Sequence, residues 1–327
     1  HPAFFSAFLS MVIPLVMIRI FSDKSNGKTC LYMAILVLLM VAFYYTKTRA
    51  AFLGLIFSLF FFFSCIGRKT LLVNKIKSVV TITILIGISV SANINDKTSV
   101  IGRFTQDLQL FQTGEPNTVE RAGITNQLGG TMGMRVFQNL AAVKIIRDYP
   151  VLGIGPETLG VIYPQYLSRV YREKSEQSNF ENQNRIHNDI LDMAVSRGLL
   201  GLGVYMWFIF SYVRMIWRGY KKCDDKKSKI LIAGLFSSCL AYFIQNQFSF
   251  GHIPIITLAW ILVGFSVIAC SVPDSLSNQV KGNHLTGLSY RQEDRDVVIG
   301  RFCNLRSERF LKSVICGFIV SFTVLLI

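Results

Sequence analysis

The chain has 327 residues, 51% of them hydrophobic and only 16% charged, and carries a formal net charge of +15. An apolar fraction this high, arranged in long uncharged runs, excludes an ordinary soluble domain and predicts an all-α polytopic membrane protein. The positive charge is read as an orientation signal and a contact for anionic lipid, so no nucleic-acid partner is expected.

Residues 1–94 hold four of about eight expected transmembrane helices, at 3–18, 29–46, 50–67 and 78–94. Each approaches the roughly 20 residues that cross ~30 Å of hydrocarbon, and the shorter ones borrow a turn from their flanks. His1 stands where a start Met would be and no basic leader precedes the first run, which suggests a fragment whose missing ends carry further spans. A tight turn, "TKTR", joins the second and third runs.

Residues 95–198 form one large extracytoplasmic loop containing short helices. The first is expected from Thr131, as N-cap, through "MGMRVFQNLAAVKIIRDY" until Pro150 stops it. The Gly- and Pro-rich "PVLGIGPETLG" reads as loop. Its "GIG" lacks the preceding strand and βαβ setting of a phosphate-binding turn. A second helix is expected from His187–Asn188, with Asn188 as cap, to Gly198 as C-terminal stop. Two helices joined by an irregular middle is the expectation for this loop.

Residues 199–271 supply three more spans (199–213, 230–248 and 253–271), 272–309 a flexible cytoplasmic loop, and 310–327 the start of a further span. Alternate connections sort by charge. Segments 19–28, 68–77, 214–229 and 272–312 hold 21 basic and 8 acidic residues, whereas 46–49 and 95–198 together hold 13 and 11. Lys and Arg accumulate in cytoplasmic loops, which places 95–198 and the TKTR turn outside. None of the seven cysteines falls in 95–198, so no disulfide framework is expected there.

Three stretches, "TKTRAAFLGL", "GMRVFQNLAAVKIIRDYPVLGIGPET" and "RIHNDILDMAVSRGLLGLGVYMWFIF", carry a resemblance. Together they resemble the blocks of the O-antigen ligase and polysaccharide polymerase superfamily, which includes protein O-oligosaccharyltransferases. The resemblance spans about residues 1–271 and implies transfer of a glycan from undecaprenyl diphosphate. The acceptor, in lipid, glycan or protein, lies outside the bacterial inner membrane. It implies an inverting membrane glycosyltransferase that uses neither metal nor nucleotide cofactor. An anion or solute transporter of the same superfamily is the alternative. Against it, no expected span has a charge near its centre and no two share matched Gly/Pro breaks. A membrane anchor with an outer binding loop is a further alternative, which would need no special Arg or His.

Five residues, Arg49, Arg135, Asn139, His187 and Asn188, are the main candidates for the site, with others in support. Arg49, beside Lys47, runs against the charge bias of an outer turn. A guanidinium grips a lipid diphosphate bidentately, and the family's first block has its functional Arg here. Arg135, expected in the first turn of its helix, opposes the helix dipole and is assigned to the same diphosphate. Gln138 and Asn139 would give that helix a polar face for sugar hydroxyls. His187 is the catalytic candidate, either as general base toward the acceptor or as an imidazolium on the leaving diphosphate. Asn188 is either a supporting ligand or a cap. Asp189 and Asp192 are fallback bases. Gln245, Asn246, Gln247 and His252 form a polar patch that either lines an acceptor path or marks the interface. No His/Cys cluster with metal-ligand spacing occurs in the outer segment, so no metal is expected.

Overall fold

The computed structural model describes residues 2–91, 102, 130–173 and 185–271, and every regular element among them is helical. In chain order these are α1 (Pro2–Ser22), α2 (Asn26–Tyr45), α3 (Arg49–Val73), α4 (Lys75–Ser91), α5 (Gly130–Asp148), α6 (Leu159–Glu173), α7 (Asp189–Lys222), α8 (Lys226–Asn246) and α9 (Ile253–Ser271). Six of them, α1–α3 and α7–α9, are long and apolar enough to cross a membrane. Of the two other expected spans, 78–94 falls on α4, a 17-residue helix, and 310–327 lies outside the described residues, as does the loop 272–309.

The bundle is built around α8, two thirds of whose apolar window is buried. Lipid tails give no hydrophobic drive for helix association, so close approach depends on small residues and hydrogen bonds. α8 supplies them in series. A Cβ on Gly234 would lie 2.1 Å from Ile18 of α1, and a Cβ on Gly54 of α3 would lie 2.6 Å from the Ala241 carbonyl. Between those two levels the Ser58 hydroxyl donates to the Ser237 carbonyl at 2.8 Å.

Cross-bundle hydrogen bonds sort the connections into two ends. At one end Lys77 donates to the carbonyls of Ile20 and Asp23, and Tyr220 donates to the Cys65 carbonyl. These bonds gather the basic segments 19–28, 68–77 and 214–229. At the other end Tyr44 donates to the Ser89 carbonyl at 2.7 Å, and Gln245 donates to the Ala3 carbonyl at 3.3 Å. The TKTR turn, the start of α1 and the end of α8 therefore meet at that second end.

A second, separate core belongs to α5, α6 and the start of α7, with Phe137, Ala141, Ala142, Ile145, Tyr163, Leu167, Ile186 and Val195 buried in it. Its helices correct the expected pair. α5 runs to Asp148, two residues before Pro150, but Thr131 lies inside it rather than capping it. α6 was not foreseen. Leu159, Tyr163, Tyr166, Leu167 and Val170 recur at helical spacing on its buried face, and Tyr166 fastens it to α5 by donating to Asp148 at 2.5 Å. That bond to a carboxylate pushes the Tyr166 phenol up to about 12.

α7 is two helices meeting at Gly198, whose φ of +67° and ψ of −175° lie in a region open almost only to glycine. In a straight helix Asp189 and Tyr205 would be ~24 Å apart. Instead the Tyr205 hydroxyl donates to the Asp189 carboxylate at 2.5 Å, so the chain bends sharply between them. The segment Pro150–Gly155 stitches the break. Ile154 and Gly155 N–H donate to the Val195 and Ser196 carbonyls, while Pro150 and Val151 carbonyls accept from Leu199 and Leu200. A broken helix otherwise leaves such groups unpaired, which is costly near hydrocarbon. "GIG" is thus the plug of a helix break. Gly153 and Gly155 adopt φ of +70° and +92°, and a Cβ on Gly153 would lie 2.4 Å from the Val195 carbonyl.

Candidate functional site

His187 occupies a short extended stretch fixed on both sides. Ile186 before it is fully buried in the second core, and its N–H donates to Asp192 at 3.3 Å. Arg185 is paired with Glu157 at 2.6 Å and lies 3.6 Å from Asp192. After it, Asn188 caps α7 by accepting from the Leu191 N–H at 3.0 Å. Asn188 therefore has a structural task, and Asp192, holding Ile186 and Arg185, has one too. Asp189 is taken up by Tyr205.

The imidazole of His187 is half-buried and meets the ring of Phe250 edge-on, with centroids 5.3 Å apart at 63°. Phe250 packs on Phe4 at 5.7 Å, and Phe4 stacks on His252 at 4.3 Å. The α8–α9 turn and the start of α1 thus form an aromatic floor beneath His187. It is contributed by the membrane bundle to the residue that follows Ile186 of the second core. Burial first, and then the positive charge of Arg135, push the His187 pKa below its ordinary 6.5.

Arg135 and His187, 52 positions apart, are therefore brought together. Arg135 is half-buried and is the sixth residue of α5, in its second turn and two residues further from the helix start than expected, which weakens the dipole argument for it. The expected polar face is also corrected. Gln138 is 4% exposed and lies on the buried stripe with Ala141, Ala142 and Ile145, leaving Asn139, half-buried, as the residue on that side open to a ligand.

Arg49 is the first residue of α3, half-buried, at the same end of the bundle. Its turn is held by Thr46 and Thr48, whose hydroxyls donate to the Phe43 and Thr46 carbonyls, with Lys47 at a φ of +49°. α3 packs on α8 at Gly54 and Gln245, and α8 leads directly to Phe250 under His187. α8 is thus the link between Arg49 and the other two residues.

The polar patch resolves into two parts. Gln245 and Asn246 are 2% and 3% exposed and so are not at a solvated interface, whereas His252 is exposed on the Phe4 ring. Sequence reasoning missed Phe250 and Tyr205. Phe250 sits within the polar patch, where the amides and His252 drew the attention, and Tyr205 sits in an apolar run where nothing local distinguishes it from a lipid-facing aromatic. Among the described residues no group of three or more His, Cys, Asp or Glu side chains is placed to hold a metal ion.

A family model described as O-antigen ligase matches residues 34–206. The match takes in Arg49, Arg135, His187 and the stitched break at Gly198, and ends within the span that follows. No curated protein matches the chain. More than half of the sequence is covered by that one family model, including the five main candidate residues. The chain belongs to the O-antigen ligase family, membrane glycosyltransferases of polysaccharide biosynthesis.

Proposed function

We propose that the protein transfers a glycan from a polyprenyl diphosphate, undecaprenyl diphosphate in bacteria, to an acceptor hydroxyl on the outer side of the inner membrane. The observation that carries this reading is His187, set against the bundle's aromatic floor and within electrostatic reach of the Arg135 cation. A histidine held below its ordinary pKa is neutral at pH 7 and free to accept a proton, which favours the general-base role over the imidazolium role.

In this reading Arg135 and Arg49 grip the diphosphate, and Asn139 lies beside it toward the sugar. Acceptor oxygen attacks the anomeric carbon as its proton passes to an imidazole nitrogen of His187. The glycosidic C–O bond breaks with its electron pair leaving on the polyprenyl diphosphate, where the two guanidinium groups meet the developing charge. Attack opposite to departure inverts the anomeric centre. The site as assigned uses no metal. Binding of the anion next to Arg135 offsets that cation, so the His187 pKa rises in the donor complex and its basicity increases when it is needed.

The threading follows the charge. The end that gathers 19–28, 68–77 and 214–229 is assigned to the cytoplasm, and residues 95–198 to the outside. Residues 1–94, 95–198, 199–271, 272–309 and 310–327 then stand as four spans, catalytic loop, three spans, cytoplasmic loop and a further span. Cysteine labelling at Ser228 and Thr113 should report opposite sides, and labelling of both from one side would sink the threading.

The chemical test uses purified protein, a polyprenyl-diphosphate glycan and lipid, glycan or protein acceptors. His187→Ala is expected to lose about 10²–10⁴-fold in transfer at unchanged expression. A wild-type rate would reduce His187 to a helix-start residue.

A further inference from the structure

We infer that the turn between α5 and α6 is seated in the lipid leaflet, with Val151 and Leu152 among the acyl chains and Tyr149 and Arg147 at the headgroups. Depth is set by backbone hydrogen bonds. Leu199 and Leu200 open the membrane-crossing part of α7, and their N–H groups donate to the carbonyls of Pro150 and Val151 at 2.8 and 3.4 Å. The turn is therefore level with the first residues of the span, where water gives way to hydrocarbon.

At that level the surface is apolar and outward-facing. Val151 and Leu152 are 62% and 64% exposed, and Leu199 and Leu200 beside them are 54% and 47% exposed. The turn cannot withdraw these side chains. Four backbone hydrogen bonds hold it to the helix break, and Gly153 and Gly198 already pack backbone to backbone, with no room even for a Cβ. The patch runs without interruption into the surface of the span, which lipid already covers. The same lipid is therefore its occupant.

The flank has matching chemistry. Tyr149, about half exposed, is a side chain that settles at the membrane–water boundary, and the exposed Arg147 is placed for lipid phosphate. Asp148, the one acid in 147–152, has its carboxylate engaged by the Tyr166 hydroxyl, and Glu157 at the far end of the turn is paired with Arg185. Because the 189–197 helix hangs from the same stitched break, a turn fixed in the leaflet also fixes the height of His187 above the membrane.

The test keeps the native cysteines by placing a nitroxide on p-acetylphenylalanine introduced at Leu152, or at Gln165 on α6 for comparison, in the full chain reconstituted into phosphatidylglycerol-containing nanodiscs. Collisions with oxygen, which concentrates in lipid, are compared with collisions with an aqueous nickel chelate. Leu152 is expected to meet oxygen in preference, and Gln165 the nickel chelate. Nickel access at Leu152 equal to that at Gln165 would put the turn in water and overturn the inference. Protection from both reagents would mean that protein covers the turn, and overturns it equally. If the Leu152 label prevents folding, the same comparison is made at Val151, next to it in the turn.

Discussion

Replacing Gly198 by alanine tests whether the stitched break organises the site. Two costs add. The backbone there, at φ +67° and ψ −175°, lies in a region nearly closed to L-residues, worth about 1–3 kcal/mol. The new Cβ would also stand 2.0 Å from the Val151 carbonyl oxygen and 2.7 Å from the Gly153 nitrogen. Both are backbone atoms, so a side chain cannot swing away and the whole turn must retreat by more than ~1 Å, at about 1–3 kcal/mol for overpacking. The sum is about 2–6 kcal/mol, seen as a lower midpoint in detergent-denaturation titrations of the reconstituted protein. Transfer should fall with it, because the displaced turn carries the 189–197 helix and hence His187. Gly203→Ala is the control. Its Cβ meets nothing within 4 Å in the interior of the same helix, so that change should be neutral or stabilise by up to about 1 kcal/mol. Equal stability and activity for Gly198→Ala and Gly203→Ala would refute the argument that this break is fixed by contact with 150–155.

Arg135→Gln should raise the His187 pKa toward 6.5, measured by NMR titration of labelled histidine, because the second cause of its depression is removed; an unchanged titration would separate the two residues. The same depression makes the wild type lose stability as pH falls from 6.5 through the folded-state pKa, since over that window the unfolded chain binds the proton and the folded chain does not. The acid limb of kcat should lie at higher pH than that of kcat/KM if the donor's diphosphate neutralises Arg135, and coincident limbs would argue against that contact. Arg49→Ala should abolish transfer with protein still in the membrane, and Arg49→Lys should restore only part of it, the bidentate fork being lost. Tyr205→Phe leaves the Asp189 carboxylate without its 2.5 Å donor and should cost about 1–3 kcal/mol in the same titrations, whereas a neutral effect would show the bond is dispensable.

Local signals determined a large share of this protein. Apolar runs near membrane length marked the six helices able to cross a bilayer, because desolvating the backbone forces that length and composition. The Asn188 cap and the stop at Gly198 were equally legible, since capping chemistry and positive φ are decided within a few residues. Where local cues conflicted, the sequence misled. Pro164, which cannot donate to the helix ladder, and the exposed Val161 hid the amphipathic α6, whose formation depends on burying Tyr163, Tyr166 and Leu167 against α5. Gln138 sat in what read as a polar face, and only packing placed it on the buried one. Tertiary structure alone decided that Pro150–Gly155 closes the break at Gly198, that Arg135 lies close enough to shift His187, and that Phe250 forms the floor beneath it. Each joins residues more than 40 positions apart. No propensity, period or cap encodes such a pairing, because it arises when helices with separate local codes are packed into one volume.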